Sequence, residues 1–232
     1  MTEDPTLASL VTANPAAARV LERHGLDYCC GGAQRLRDAC AARGIDPDQV
    51  VAELAAEPAV PAPEWGAMDP AELVDHIVAT HHAALDAELP RLQALATKVA
   101  GVHGGRHPEL VHVAELVEAL RADLEPHLAK EEQVLFPMIR ELAGATTRPA
   151  LHCGTLQAPI RVMLAEHDRT GELLAQLRTL TAGFTPPADA CASYTALYEG
   201  LAALEADVHL HVHKESNVLF PAVLALESDL RR

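Results

Sequence analysis

The stretch His127-Leu128-Ala129-Lys130-Glu131-Glu132-Gln133-Val134-Leu135-Phe136-Pro137 returns later in the chain as His211-Val212-His213-Lys214-Glu215-Ser216-Asn217-Val218-Leu219-Phe220-Pro221. The shared pattern is H-x-x-K-E-x-x-V-L-F-P. A fainter match pairs the run from His82 to Leu89 with the run from His167 to Leu174. The interval from His82 to His127 and that from His167 to His211 differ by one residue. The chain therefore reads as a duplicated helical hairpin, with a pseudo-twofold axis between its halves.

Working outward, apolar residues recur at helical spacing, as in Leu116, Leu120, Leu124 and Leu128 at successive four-residue steps, which is the stripe of an amphipathic helix. Four long helices are predicted, at about 69–100, 108–142, 156–181 and 189–228. Asp69-Pro70 opens the first as cap and first-turn proline, and His107-Pro108 opens the second. A Gly-, Thr- and Pro-containing break from Gly144 to Gly154 joins the two pairs. Four helices with three connections make an up-down bundle, so the fold class is all-α. Composition agrees: 49% of residues are hydrophobic but only 3% aromatic, so the apolar mass is Ala, Leu and Val, which fill helix seams.

His and Glu at i and i+4 lie about 40° apart around a helix, one above the other on one face. Each H-x-x-x-E pair can thus grip a metal from one helix, while the other two helices each add one His. The totals are His82, His127, Glu131, His167, His211 and Glu215. Two ions would each take two imidazoles, and each carboxylate could bridge both, leaving room for a solvent-derived bridge and an open position. Imidazole plus carboxylate without thiolate suits iron or manganese better than structural zinc. A single interior His is ordinarily just a hydrogen-bonded core residue, and one H-x-x-x-E pair ordinarily lies on a surface. Four imidazoles and two carboxylates buried without partners would cost several kcal/mol, which is why the duplicated, apolar-flanked set points to metal.

His81 and His82 are adjacent, and the repeat selects His82 as the core-facing one. His76, His103, His107, His112, His152, His209 and His213 read as non-ligands, with His76, His112, Asp75 and Glu166 as candidates for orienting a ligating imidazole. Pro137 and Pro221 each remove a backbone donor inside a helix and should bend it.

A net charge of −15, from 18 Lys+Arg against 33 Asp+Glu, repels phosphate backbones and anionic lipid, which argues against nucleic acid and membrane as partners. No run of 18 apolar residues occurs, the N-terminus lacks a basic region followed by an apolar core, and five cysteines make no disulfide framework. These features fit a reducing cytoplasm.

Ahead of the bundle, residues 1–57 form a small helical domain, and a Pro-rich linker at 58–66 joins it to residues 67–232. Three short helices are predicted in the small domain. The first is capped by Asn14 and runs to about His24. The second covers about Ala33 to Arg43, and the third is capped by Asp46 with Pro47 in its first turn. Between the first two lies the turn Asp27-Tyr28-Cys29-Cys30-Gly31-Gly32. Cys29 and Cys30 are candidate redox or iron-transfer thiols, the Gly-Gly neighbour allowing close approach to a partner; the alternative is a buried turn in which they only pack. Cys40, Cys153 and Cys191 read as incidental.

The bundle resembles the hemerythrin-type HHE cation-binding domain, and the segment from Thr6-Leu7-Ala8-Ser9 to the D-Y-C-C-G-G turn resembles the ScdA-type N-terminal domain. Together they resemble the RIC (repair of iron centres) family, the YtfE and ScdA group, over essentially the whole chain. The resemblance implies two non-haem iron ions with an oxo or hydroxo bridge, held by the six residues above with both glutamates bridging. It implies repair of iron–sulfur clusters damaged by nitric oxide or oxidants, with damaged iron–sulfur proteins as partners. The alternatives are a di-iron nitric oxide reductase forming nitrous oxide, and an O2- or NO-binding sensor of hemerythrin type. An oxygen carrier would need five histidines in the family pattern, where four are found. A homodimer stays open.

Overall fold

The computed structural model describes residues 4–58 and 64–230, which are helical with no strand; an isolated bridge pairs Thr6 with Arg35. Much of the Pro-rich linker lies outside the described residues. The helices are α1 (Leu7–Ala13), α2 (Ala17–Arg23), α3 (Leu36–Arg43), α4 (Pro47–Ala56), α5 (Pro70–Ile77), α6 (Ala83–His103), α7 (Glu109–Lys130), α8 (Phe136–Ala143), α9 (Gln157–Leu180), α10 (Ala192–Lys214) and α11 (Phe220–Asp229). The chain divides into two compact units. One comprises Ile77–Met138 and Ala150–Val208; the other comprises Met1–His76, Ile139–Pro149 and His209–Arg232.

The first of these is built on four helical stretches. Along α6 the buried residues are Leu85, Leu89, Leu92, Ala96 and Val99; along α9 they are Ile160, Met163, His167, Thr170, Leu174 and Leu177. These three- and four-residue steps are the seam of a helical bundle, and each fully buried Leu or Ile contributes about 1.5–3 kcal/mol of burial free energy. α6 packs on α7, and α7 on α9. Gly200 on α10 lets α6 approach closely, since a Cβ there would meet Leu92 at 2.6 Å. The histidines of interest occupy seam positions, His167 between Met163 and Thr170, and His127 between Leu124 and Leu128.

Three π-helical turns interrupt the long helices: Val78–His82, Glu131–Leu135 and Glu215–Leu219. In each, the amide after the turn bonds the carbonyl five residues back: Ala83 to Val78, Phe136 to Glu131 and Phe220 to Glu215. Pro137 and Pro221 follow the last two directly. Each proline lacks an N–H and its ring crowds the carbonyl of residue i−4, and the wider π rung absorbs both faults. The sequence anticipated a disruption here but not its form. The widened turn at Val78–His82 also buries both His81 and His82, at 3% and 1% exposure, correcting the expectation that only one faces inward.

The other unit holds the four N-terminal helices, one more than the sequence reading gave. α1 begins at Thr6, whose side chain accepts from the Ser9 amide, so the Thr6-x-x-Ser9 signal marks a start that the Asn14-Pro15 pair overshadowed. Asn14 accepts instead from Ala16 in the turn before α2, and α3 starts at Leu36 rather than Ala33. Asp46 caps α4 as expected. α1 packs on α2, and α2 and α3 pack on α4, over Leu7, Val11, Val20, Leu21, Leu36, Cys40 and Val50. The turn after α2 rests on the end of α10. Buried Tyr28 meets the rings of His209 and His213 edge-on at 6.1 and 5.7 Å, and its hydroxyl donates to Glu22. Trp65, at the end of the linker, is buried against His213 and Lys214.

Gly32 is what lets this turn seat. A Cβ there would lie 2.5 Å from the Tyr28 carbonyl, 2.6 Å from Asn217 Oδ1 and 2.9 Å from the Ala8 Cβ. Gly32 therefore serves packing within the chain. Gly32→Ala should cost about 1–3 kcal/mol, seen as a lowered thermal midpoint, whereas Gly66→Ala, which meets nothing within 4 Å, should stay within about 0.5 kcal/mol.

Candidate metal centre

Glu131 opens the π turn at the end of α7 and is fully buried. Among the described residues neither of its carboxylate oxygens receives a hydrogen bond. His82 Nε2 and His127 Nε2 each lie 3.5 Å from its Oε2. The opposite edge of each ring is occupied: His82 Nδ1 lies 2.7 Å from Glu132 and His127 Nδ1 lies 2.8 Å from Glu166. Carboxylates only accept, so both Nδ1 atoms carry a proton, and with the rings neutral both Nε2 atoms turn a lone pair toward Glu131. His167 Nε2 sits 3.2 Å from His127 Nε2. One donor atom each from His127, Glu131 and His167 lie within 4.8 Å of one another.

Lone pairs converging on a carboxylate repel unless a cation stands between them. The spacing suits one, because an imidazole nitrogen and a carboxylate oxygen each about 2.1 Å from a tetrahedral or octahedral ion lie roughly 3–3.5 Å apart. The residues thus fit a metal ion, and carboxylate–histidine hydrogen bonds at the outer nitrogens are how such ligands are commonly oriented. Phe136 stacks on His82 at 5.5 Å between centroids, closing the site on one side. Burial would raise the Glu166 carboxyl, but hydrogen bonds from Lys130 and His127 hold it below its usual range.

In the other unit, His211 Nε2 lies 3.0 Å from Glu215 Oε1, and both residues are buried. This pair, at the end of α10 and the start of its π turn, repeats the His127–Glu131 arrangement locally. Lys214 is buried here with its ammonium at 2.9 Å from His76 Nε2, so His76 faces a lysine. His213 is fully buried between Thr12 and the Tyr28 carbonyl, and burial pushes its imidazole down to about 4.

The proposed orienting residues divide. Glu166 takes that place. Asp75 instead pairs with Arg140 on the surface, and His112 pairs with Glu115 three residues on, both exposed; neither reaches a ligating ring. Glu132 was missed, though its position next to Glu131 in the repeat was legible; Ser216 stands at the matching place and hid the pattern. His81 was also missed as a buried group, with Nδ1 at 2.8 Å from Asp207. Cys191, read as incidental, has its sulfur 3.2 Å from His103 Nε2.

Asp27 organises the cysteine turn. Its Oδ1 accepts from the amides of Cys29 and Cys30 and its Oδ2 from that of Gly31, at 2.9–3.0 Å. Cys29 is buried and Cys30 exposed. A hydrogen bond to Cys30, burial and the Asp27 carboxylate all push the Cys29 thiol up. Asn217, inside the Glu215 π turn, donates through Nδ2 to the Cys29 carbonyl at 2.8 Å.

Two family profiles match the chain. That of the hemerythrin HHE cation binding domain covers residues 73–223, and that of the ScdA N-terminal domain, a domain of unknown function (DUF542), covers residues 3–57. Over 225 residues, 97% of this chain and 98% of the relative, the sequence is 38% identical to the iron-sulfur cluster repair protein YtfE of Enterobacter sp. (strain 638). The chain belongs to the YtfE family. Identity is 37% over the same shares to the YtfE proteins of Escherichia coli O1:K1 / APEC and Escherichia fergusonii. No helix among the described residues is long and apolar enough to cross a membrane.

Two measurements follow. Glu132→Ala frees the His82 ring and should weaken metal retention about 10–100-fold in a chelator competition, with helicity unchanged; full retention would remove Glu132 from the site. In the metal-free protein at neutral pH, Cys30 should be alkylated about tenfold or more faster than Cys29, read by peptide mass spectrometry.

Proposed function

We propose that the chain is a di-iron protein that repairs iron–sulfur clusters damaged by nitrosative or oxidative stress, with the two ions held by His82, His127, Glu131, His167, His211 and Glu215. The observation that carries this is the buried Glu131 carboxylate, faced at 3.5 Å by two imidazoles whose outer nitrogens are already committed to Glu132 and Glu166. The repeat supports extending the set to His211 and Glu215. Membership of a family whose relatives carry the name iron-sulfur cluster repair protein supports the role. Bound iron would supply a deliverable, redox-active ion, with an oxo or hydroxo bridge completing the pair.

The chain's own residues do the rest. Glu132 and Glu166 hold the Nδ1 protons and fix ring orientation. Phe136 and the leucine seam exclude bulk water. The N-terminal domain, residues 1–57, brings Cys29 and Cys30 as redox or iron-transfer thiols, and the linker at 58–66 joins it to the bundle domain at 67–232. The partners are damaged iron–sulfur proteins. All five cysteines are free, which supports a cytoplasmic location.

Burial of the four histidine and two glutamate groups at 0–4% exposure favours a second reading, in which a small diatomic reaches the ions and nitric oxide is reduced to nitrous oxide. Oxygen or nitric oxide sensing belongs to the same reading.

Anaerobically purified protein should hold about two irons per chain, and a Glu131→Ala/Glu215→Ala variant should lose them. Iron-loaded protein should restore activity to a nitrosylated cluster enzyme, while the variant should not. No restoration by the loaded form would overturn the repair role. Nitrous oxide in the headspace above that of the metal-free control would establish the second reading, and its absence would remove it.

A further inference from the structure

Cys29 and Cys30 admit two chemistries, a vicinal disulfide or a metal chelate, and the geometry separates them. A disulfide needs its sulfurs about 2.05 Å apart. Here the two sulfurs stand 4.0 Å apart. Two thiolates each about 2.3 Å from a tetrahedral cation lie roughly 3.8 Å apart, so the turn already holds the bite of a chelate. A third donor is in place, since one atom each from Asp27, Cys29 and Cys30 fall within 4.8 Å of one another, and the Cys29 thiol donates to Asp27 Oδ1 at 3.1 Å, which keeps the carboxylate beside the sulfurs.

We propose that Asp27, Cys29 and Cys30 form a second, exchangeable metal site that takes a thiophilic divalent cation, separate from the histidine–glutamate centre. That the natural cation is ferrous iron rests on the repair reading above; the existence of the site does not.

The turn is built to hold its donors still. Three consecutive amides fix the Asp27 carboxylate, and Oδ2 takes only the Gly31 amide among them, leaving a lone pair for a cation. Asn217 anchors the Cys29 carbonyl, and the packing of Gly32 against Ala8 and Asn217 stops the turn from sliding. With three protein ligands, a four-coordinate ion keeps one position open, the mark of a site that exchanges or reacts. Cys30 is exposed, so that position is within reach of an incoming thiolate. Transfer is then ligand exchange without change of oxidation state: a client thiolate forms a bond to the cation as a Cys30 bond breaks, and the turn's donors leave in sequence.

The test is anaerobic titration of the full-length, iron-loaded chain with cobalt(II). One cobalt per chain should bind with near-ultraviolet thiolate-to-cobalt charge-transfer absorption, and cobalt should protect both cysteines from alkylation. Cys30→Ser should abolish the absorption, and Asp27→Asn, which keeps an acceptor for the Cys29 and Cys30 amides and gives up the one for Gly31, should weaken binding about tenfold or more. Cys191→Ser should leave both signals unchanged. The iron content of Cys30→Ser should equal that of the parent, reporting an intact bundle. No charge-transfer absorption, absorption that survives Cys30→Ser, or cobalt that enters only by displacing iron would each overturn the site. Cobalt binding at the turn with no cluster restoration would keep the site and remove iron as its cargo; restoration without cobalt binding would do the reverse.

Discussion

The arrangement hangs on one electrostatic problem, a buried carboxylate that receives no hydrogen bond from the described residues. Glu131 sits in the seam of a leucine-lined bundle, where an uncompensated negative charge costs several kcal/mol. The surroundings answer it with lone pairs, because Glu132 and Glu166 hold the Nδ1 protons of His82 and His127 and so aim their Nε2 atoms inward. With the rings neutral that charge stays unbalanced, whereas a cation satisfies carboxylate and imidazoles together. Stability and metal binding are therefore one requirement. The leucines above and below supply the low-dielectric walls that make it strict.

The same logic shows why these helices depart from α geometry where they do. A candidate ligand at a seam position must reach the axis of the bundle, while a proline six residues later forbids the regular hydrogen bond. The π turns at Glu131 and Glu215 meet both needs in one rung. In the unit that carries Glu215, the turn serves a third purpose, because Asn217 from the same rung holds the Cys29 carbonyl. The cysteine turn is thus fixed to the segment that bears a candidate ligand.

Much of this was legible in the sequence, for identifiable reasons. The all-α class followed from seam spacing, and the duplicated H-x-x-K-E-x-x-V-L-F-P singled out Glu131 and Glu215 because a repeat preserves chemistry more visibly than composition does. What escaped was whatever depends on rotation about a helix axis. A π rung turns neighbours by an angle that no regular periodicity anticipates, so His81 joined the interior, while Asp75 and His112 lie on the outer faces of regular α-helical stretches. Glu132 escaped because its counterpart in the repeat is Ser216, and the orienting contacts of the two halves differ even where the ligand types agree. The start of α1 escaped because a threonine cap is a weaker signal than an Asn-Pro pair eight residues on.

The π rungs also constrain how the sequence can change in length. Each contains one residue more than an α turn over the same rise, in effect an insertion fixed in the core. Removing one residue between Glu131 and Leu135 would restore regular hydrogen bonding locally and leave Phe136 close to its present face, because the wide rung already absorbs the extra residue. What the deletion would take away is the slack that Pro137 needs, so the proline and the rung before it are tied to one another along the chain.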